Sequence, residues 1–315
     1  MIISASRRTD IPAFYPEWFI NRIKAGYVLV KNPMNERQVS KISLSPDVVD
    51  CIVFWTKNPD RIMKYLPFLE AYNYYFQITI TSYDKSIEPD VLLKKDILET
   101  VKKLSDQIGP EKVIWRYDPI FYTEKFDYDW HLKYFEKIAA ALKGRIEKCI
   151  ISFLDLYKKC EKNMRGINYR LLNNDDIFRL APELAAIAQG YAIKLESCAE
   201  ELDLEAFGIK HAKCIDDDLI ARIAGKAIKV SKDKNQRGAC NCVQSIDIGA
   251  YNTCPHNCLY CYANLNKDLV KGNYSVHNPE SEILCGNISA NAVIRKREMR
   301  SFFVHDNPKK QAKLL

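Results

Sequence analysis

Three cysteines lie close together near the carboxyl end of this 315-residue chain. Cys254, Cys258 and Cys261 form a C-x3-C-x2-C pattern in the run YNTCPHNCLYCYAN, and Tyr260 directly precedes the third. Thiolates are the ligands that iron–sulfur clusters and zinc prefer. They can converge over so short a stretch only if the backbone curls into a loop, and Asn257 tolerates turn geometry. The pattern therefore predicts a metal-binding loop.

The number of cysteines in the loop bears on which metal it holds. A structural zinc ion takes four protein ligands in closed tetrahedral geometry. Three cysteines instead suggest a [4Fe–4S] cluster with one iron open, which can bind a substrate or cofactor. A zinc loop completed by a distant cysteine or by His256 is the alternative.

The C-x3-C-x-aromatic-C arrangement resembles the cluster loop of the radical S-adenosylmethionine (SAM) superfamily. There, the free iron binds the amino and carboxylate groups of SAM, and the aromatic residue lies near the adenine. The resemblance implies that Cys254, Cys258 and Cys261 bind the cluster and that Tyr260 lies beside the adenine. It also implies reductive cleavage of SAM to methionine and a 5′-deoxyadenosyl radical, which acts on an unknown substrate. An electron donor such as a ferredoxin or flavodoxin follows from this reaction.

A second resemblance covers nearly the whole chain. Five segments are similar to the bacterial and archaeal family known as domain of unknown function 1848 (DUF1848): MIISASRRTDIPAFY, VDCIVFWTKNP, VIWRYDPI, SCAE and DIGAYNTCPHNCLYCYAN. That family is defined by sequence. The resemblance therefore supports the grouping and the cluster loop without supplying a reaction.

Strand-like and helix-like segments alternate through the first two thirds of the chain. The predicted strands are 1–5, 50–54, 75–81, 112–117, 148–153 and 192–195, and the main predicted helices are 16–26, 60–72, 88–108, 127–142, 175–188 and 216–224. Such alternation is typical of an α/β protein with a parallel sheet. No G-x-G-x-x-G loop follows the first strand, which argues against a dinucleotide-binding fold. Because radical SAM enzymes use full or partial TIM-like barrels, we expect a (β/α) barrel with a C-terminal cluster-binding segment.

Composition changes along the chain predict three parts. Residues 1–230 would form the barrel, 231–275 the cysteine-rich cluster-binding segment, and 276–315 a basic extension containing a helix. One hypothesis is a circular permutation, in which a strand within 245–250 lies beside the strand at 1–5. The alternative is a separate cluster domain that docks over the barrel mouth.

Polar residues at the predicted strand ends are the candidate catalytic and binding groups, because the loops after the strands form the active-site face of a βα barrel. The catalytic candidates are Arg8, Asp10, Arg116, Asp118 and Glu200, and the cofactor-binding candidates are Tyr260, Asn252 and Arg7. Arginine could hold the SAM carboxylate, and acidic groups could hold its ribose. As an alternative, the Arg8–Asp10 and Arg116–Asp118 pairs would be ordinary ion pairs or helix caps.

Four further cysteines could hold a second iron–sulfur cluster: Cys198, Cys214, Cys240 and Cys242. Cys240 and Cys242 form a C-x-C turn in a polar segment, which packing explains poorly. In the alternative interpretation, Cys198 and Cys214 are small buried apolar residues. We interpret Cys51, Cys149, Cys160 and Cys285 as structural.

The composition is ordinary for a globular protein, with 47% hydrophobic and 28% charged residues and a net charge of +7. The amino terminus lacks a secretory pattern and no apolar run has transmembrane length, so we expect a cytoplasmic protein without a membrane partner. The charge permits an anionic ligand or a nucleic acid. Two alternative functions remain: a nucleic-acid repair lyase resembling spore photoproduct lyase, and a non-catalytic zinc or iron–sulfur module.

Overall fold

The computed structural model describes residues 1–155 and 158–304. Its strands are β1 (Ile2–Ala5), β2 (Tyr27–Asn32), β3 (Asn35–Ser43), β4 (Cys51–Thr56), β5 (Tyr74–Thr79), β6 (Val113–Ile120), β7 (Tyr122–Thr123), β8 (Lys148–Phe153), β9 (Tyr169–Arg170), β10 (Lys194–Ser197), β11 (Lys210–His211), β12 (Ile246–Asp247) and β13 (Val293–Lys296). Its α-helices are α1 (Ile11–Phe14), α2 (Pro16–Ala25), α3 (Asp60–Met63), α4 (Lys94–Ile108), α5 (Tyr128–Leu142), α6 (Lys158–Asn163), α7 (Asn174–Gly190), α8 (Asp217–Ala224) and α9 (Lys267–Ser275).

One parallel sheet of eight strands dominates the fold, in the order β11-β10-β8-β6-β5-β4-β1-β12. The predicted α/β class is therefore correct. Strand β12 pairs parallel with β1, with Ile246 opposite Ile3 and Asp247 opposite Ser4. From β1 to β11 the strands follow one another across the sheet in chain order, and β12, the last of the eight in the chain, lies on the other side of β1. The strand that precedes the cysteine loop thus lies beside β1, as the permutation hypothesis expected.

The sheet is open in the described part of the chain, and β11 and β12 are its edges. Each edge strand has two residues, too few for a long hydrogen-bonded ladder. The amide of Val243 donates to the carbonyl of Ile215, at 3.1 Å, and this bond joins the segments next to the two edges. The sequence predicted a full or partial TIM-like barrel. A full, closed barrel is not formed among the described residues.

Both faces of the sheet are covered, which is why its central strands are nearly continuous apolar runs. Helices α2, α4, α5 and α7 pack on one face in the main hydrophobic core. The other face is covered by the chain after β10, including α8. There the carbonyl of Cys214 accepts hydrogen bonds from Tyr75 and Gln77 of β5, at 2.7 and 3.0 Å. The chain after β11 is thereby fixed against the middle of the sheet.

The structure corrects the sequence-based picture of the carboxyl-terminal part. The sequence predicted a helix in the basic extension, but Val293–Lys296 is a strand that pairs parallel with β3. β2 and β3 form a hairpin that the sequence did not predict, and β13 makes it a three-stranded sheet. β-branched residues in β13 suit a strand, and the partner strand lies far away in the sequence. Lys309 and Lys310 of the basic extension lie outside the described residues.

α5 and α7 begin and end near their predicted bounds because capping residues mark them, whereas α4 lacks a side-chain cap at its start and begins at Lys94 and not at the predicted residue 88. Asp127 caps α5 by accepting from the amide of Trp130, and Asn173 forms a capping box with Asp176 at the start of α7. The predicted helix over 60–72 is instead α3 followed by a short 3-10 helix with a proline in its first turn. No helix within 1–155 and 158–304 combines the length and apolar character needed to cross a membrane.

Candidate functional site

One cavity of about 880 Å³ lies at the carboxyl edge of the large sheet. Residues that follow β1 and β10 and residues in or directly after β4, β6 and β8 line it, together with the segment that runs from Cys240 through β12 into the cysteine loop. Its volume is within the range of cavities that bind small molecules and cofactors. The carboxyl ends of parallel strands are where such ligands bind in α/β proteins. The cavity is therefore the candidate functional site.

Strand β12 delivers the cysteine loop to this cavity through a dense set of contacts with β1. The carboxylate of Asp247 accepts from the hydroxyls of Ser4 and Ser6, at 2.9 and 2.7 Å, and from the amide of Arg7, at 2.8 Å. Gly249 follows, and a Cβ atom there would lie 2.1 Å from Ser6 Oγ. The backbone after β12 can approach β1 this closely only because residue 249 has no side chain.

The cysteine loop contains two asparagines in the left-handed backbone region, Asn252 with φ 57° and Asn257 with φ 52°. Asparagine tolerates this region better than other residues with a Cβ. Asn252 also accepts from the amide of Leu265 with its side-chain oxygen and so closes the loop. It is not among the cavity-lining residues, in contrast to the predicted cofactor contacts Tyr260 and Arg7. The turn geometry predicted for Asn257 is present.

The thiols of Cys254, Cys258 and Cys261 all line the cavity. None of the chain's eleven cysteines, all of which lie in the described residues, forms a disulfide. Backbone amides donate to two of the sulfurs, that of His256 to Cys254 and that of Ala263 to Cys261. Burial raises the pKa of the Cys258 thiol to about 12, although the Lys57 ammonium opposes it. The thiols of the loop would release protons on binding a metal.

The spacing of ligand atoms limits which metal the cysteine loop can hold. In the described part of the chain, the carboxylates of Asp216, Asp217 and Asp218 form the one group of three or more candidate ligands within 4.8 Å of one another. Thiolates around one tetrahedral zinc ion would lie about 3.8 Å apart, from a Zn–S distance of about 2.3 Å. The loop's three sulfurs are therefore spread more widely than a single zinc ion requires.

His256 is held by Asp10 and not by the loop's cysteines. Its Nε2 atom lies 2.9 Å from Asp10 Oδ2, and its buried Nδ1 atom has no hydrogen-bond partner among the described residues. Asp10 also accepts from the amides of Ala13 and Lys57, at 2.9 and 2.7 Å. Asp10, a predicted catalytic residue, thus caps the short helix α1 and joins it to the loop. No ion pair with Arg8 is recorded for it in the described chain.

A buried charge network supports Tyr260. The Tyr260 hydroxyl donates to Glu88, which also accepts from Thr81 and Lys57, each at 2.7 Å, and pairs with Lys94. Burial would raise the pKa of Glu88, but the two ammonium groups outweigh it and hold that pKa well below its ordinary value. Burial also raises the pKa of Tyr260 well above its usual range. Tyr260 is therefore a neutral, fixed ring at the cavity wall.

Two arginines flank one tryptophan on the cavity wall. The guanidinium carbons of Arg7 and Arg116 lie 5.4 and 5.1 Å from the ring centre of Trp55. Arg7 Nη2 and Trp55 Nε1 are buried donors without an acceptor in the described chain. Arg8 lies 5.1 Å from the ring of Tyr251, and its Nε is 3.9 Å from Asp247. Unsatisfied buried donors facing a cavity indicate an electron-rich ligand there.

Arg116 and Asp118 form an ion pair at the end of β6, as the alternative interpretation from the sequence stated. Asp118 also accepts from the hydroxyl of Ser152, and both lie on the cavity wall. Glu200 lies behind the wall and accepts from the amide of Phe153 at 2.9 Å. Burial raises the pKa of Glu200 to about 7, with further contributions from Cys198 and Asp118. Glu200 can therefore exchange a proton near neutral pH.

The four cysteines predicted to form a second set also gather at the cavity. Sγ of Cys198 lies 3.1 Å from Sγ of Cys214, and the thiol of Cys242 contacts those of Cys214 and Cys240. All four line the cavity wall. By contrast, Cys51 and Cys149 are buried in the core, and Cys285 donates to the carbonyl of Asn273. The structure therefore separates seven cavity cysteines from the structural ones.

Sequence reasoning missed several residues of the site. Glu88, Lys94 and Asp247 were not singled out, although each fixes the loop or its strand. Glu88 and Lys94 lie in the loop after β5 and at the start of α4, where charged residues are ordinarily solvated. Asp247 in β12 did carry a signal, since an acidic residue inside the apolar run SIDIGA is unusual for a buried strand.

Comparison with curated proteins gave no match. Four chains of known structure match, and one of them is a candidate alpha-L-fucosidase from Bacteroides thetaiotaomicron VPI-5482. It is 10% identical and the match covers 73% of this chain and 82% of that one, with a TM-score of 0.24. This likeness supports no inference about fold or activity. The family model described as "Domain of unknown function (DUF1848)" matches residues 2–263, and the chain therefore belongs to the DUF1848 family.

Proposed function

We propose that this protein is an iron–sulfur enzyme of the radical SAM type. The observation that carries the proposal is the position of Cys254, Cys258 and Cys261 on one wall of the 880 Å³ cavity, at the carboxyl edge of the sheet. Three thiols at an open cavity suit a [4Fe–4S] cluster with one iron accessible to a small molecule. The remaining cavity volume would take that molecule and a substrate.

The residues around the three cysteines fit a cluster. Amide donors to Cys254 and Cys261 are of the kind that stabilise cluster thiolates. The three sulfurs do not all lie within 4.8 Å of one another in the described chain, as the ligands of one zinc ion would, and His256 is engaged by Asp10. This argues against the alternative in which zinc is bound by the loop and His256.

The cavity also offers contacts suited to SAM. Tyr260, fixed by Glu88, would face the adenine, and the unpartnered Nη2 of Arg7 would bind the carboxylate. When bound, the cluster would supply one electron to the sulfonium of SAM, whose C5′–S bond breaks to give methionine and the 5′-deoxyadenosyl radical. Asp118, which lines the cavity, remains for contacts with the substrate.

The strand order supports a partial TIM-like barrel for this enzyme. The strands from β1 to β11 follow one another in chain order, and β12 takes the place before β1. As cleavage of SAM consumes an electron, the proposal includes a ferredoxin or flavodoxin as donor and a cytoplasmic enzyme. The substrate is left open.

Anaerobic reconstitution with iron and sulfide tests the proposal. We expect brown protein that forms 5′-deoxyadenosine when it is given SAM and dithionite. Cys258→Ala removes one cluster ligand and should abolish the product, whereas Cys285→Ala, which changes a thiol away from the cavity, should not. A protein that binds iron and sulfide but leaves SAM intact in the presence of reductant would refute the proposal.

A further inference from the structure

We propose that Cys198, Cys214, Cys240 and Cys242 bind a second iron–sulfur cluster on the wall of the same cavity. Three separate stretches of the chain supply these thiols: Cys198 follows β10, Cys214 follows β11, and Cys240 and Cys242 precede β12. Folding alone brings them together. Their assembly is independent of the loop at 254–261, so this inference extends beyond the proposed function.

The four sulfurs form a continuous series of contacts. Cys198 contacts Cys214 at 3.1 Å, Cys214 contacts Cys242, and Cys242 contacts Cys240. No three of these sulfurs lie within 4.8 Å of one another among the residues that the structure describes. A single zinc ion needs all four at about 3.8 Å from each other. The series as a whole is therefore too extended for one zinc ion. The ligand sulfurs of a cluster lie further apart, because each binds a different iron atom, so the thiols now in contact would separate when a cluster binds.

Two guanidinium groups, a buried one on Arg116 and a partly buried one on Arg7, distinguish this set from ordinary buried cysteines. Nη1 of Arg116 donates to Sγ of Cys214 at 2.8 Å, and Arg116 is 5% exposed. The charge of Arg7 interacts with the thiols of Cys242 and Cys214. A buried guanidinium requires an anionic partner, and neutral thiols do not provide one. Asp118 pairs with Arg116, but no carboxylate bonds Arg7 Nη2 in the described chain.

The charges fit a cluster bound by four thiolates. A [4Fe–4S] core of charge 2+ with four thiolates carries a net charge of about −2. The guanidinium groups of Arg7 and Arg116 would offset that charge. A backbone amide, that of Ile215, already donates to Cys242 Sγ at 3.4 Å. Because the protein would supply a ligand to every iron, this cluster would not bind SAM.

The alternative is that these thiols only fill space. They do lie in a hydrophobic cluster with residues of β4, β5 and β8. That role explains the burial of Cys214 and Cys242, which are each 2% exposed. It does not explain why the buried guanidinium of Arg116 donates to a sulfur. The geometry therefore favours metal binding over packing alone.

The test uses full-length protein with Cys254, Cys258 and Cys261 all changed to alanine, reconstituted with iron and sulfide under anaerobic conditions. We expect it to keep roughly half of the iron and acid-labile sulfide of the unmodified protein and a cluster absorption and EPR spectrum. Additional replacement of Cys214 and Cys242 by alanine should remove both. Loss of all iron in the first variant while it remains folded by circular dichroism, or zinc bound without sulfide, would overturn the proposal.

Arg116→Gln provides a second test that does not depend on deleting a ligand. In the background without loop cysteines, removal of the donor to Cys214 should shift the reduction potential of the remaining cluster to a lower value, because a cation and a hydrogen bond to sulfur stabilise the reduced form. Arg116→Lys should restore part of the shift. Arg222→Gln, which removes an exposed arginine paired with Glu147, should leave the potential unchanged. A potential insensitive to Arg116 would refute a cluster at these thiols.

Discussion

The two sets of cysteines in the cavity are assembled in different ways. Cys254, Cys258 and Cys261 come from one short loop, whose curvature depends on local residues such as Asn257. Cys198, Cys214, Cys240 and Cys242 come from three stretches that meet only because the sheet brings their ends together. The loop can be identified as a metal motif from spacing alone. The second set becomes a site only through the fold.

The two sets of cysteines also differ in the charged residues that surround them. Near the loop, the single carboxylate of Glu88 pairs with both Lys57 and Lys94. Near the second set, Arg7 Nη2 has no acceptor in the described chain and Arg116 donates to a sulfur. This difference accompanies the two proposals, an open iron at the loop and a closed anionic cluster at the second set.

Exchange of one cysteine of the loop gives the largest expected effect. Loss of a residue that hydrogen-bonds a metal ligand typically reduces metal affinity or activity by about 10–100-fold. Because Cys258→Ala removes a ligand itself, it should reduce 5′-deoxyadenosine formation by more than this. The same variant should keep the iron of the second set. Iron content and product are measured on the same reconstituted sample. Full loss of iron from Cys258→Ala would show that the two sets are not separate sites.

Glu88→Gln tests how much the buried carboxylate of Glu88, which holds Tyr260 of the loop, contributes to the stability of the fold. The change leaves the ammonium groups of Lys57 and Lys94 without their carboxylate, and we expect the free energy of unfolding to fall by about 3–5 kcal/mol at pH 7. Urea unfolding measures it. Glu99→Gln, at an exposed pair with Lys102, should change it by less than about 1 kcal/mol. Similar losses in both variants would contradict the prediction.

Glu88 should also make the stability of the fold depend on pH. The pKa of Glu88 in the fold lies below its ordinary value of 4.5, so the unfolded chain binds this proton first as the pH falls. The stability contributed by Glu88 is present above about pH 4.5 and is lost as the pH falls below it toward the folded-state pKa. The metal-free wild-type protein should therefore destabilise more steeply on acidification than Glu88→Gln. Parallel curves would exclude this contribution.

Gly249→Ala tests the close approach that brings the loop to β1. The new Cβ would lie 2.1 Å from Ser6 Oγ, and Ser6 is tied to Asp247, so the backbone must shift. We expect a loss of about 1–3 kcal/mol in the free energy of unfolding. Gly272→Ala, in helix α9 with no atom near the added Cβ, should instead gain up to about 1 kcal/mol. A neutral Gly249→Ala variant would show that β12 is not held as described.

The smallest expected effect is at Asn257, in the left-handed region of the loop. Asn257→Ala should cost about 1 kcal/mol in the free energy of unfolding, because a Cβ without a compensating side-chain hydrogen bond is disfavoured there. Asn257→Gly, which tolerates the same backbone, should recover most of the loss. Equal losses would indicate that the contact with Asp90 matters more than the backbone.

Features that depend on residues close together in the sequence were mostly predicted correctly, and several features that depend on contacts between distant residues were missed. The central strands and the long helices were predicted because apolar periodicity and caps such as Asp127 are local signals. The predicted helix in the basic extension was wrong, because Val293–Lys296 is a strand only through its pairing with β3. The hairpin of β2 and β3 was missed, since its polar residues mask a strand pattern. Glu88 was missed because its partners come from four different segments.

The sequence by itself determined the α/β class, the family and the loop of three cysteines, because each is written in residues that are near neighbours or in whole-chain motifs. The tertiary structure decided that β12 joins the sheet beside β1, that the sheet is open in the described chain, and that distant thiols gather beside the buried guanidinium of Arg116. These features depend on the register of parallel strands and on burial. Contacts between residues far apart in the chain form only when the whole core is packed, and a linear pattern does not encode them separately.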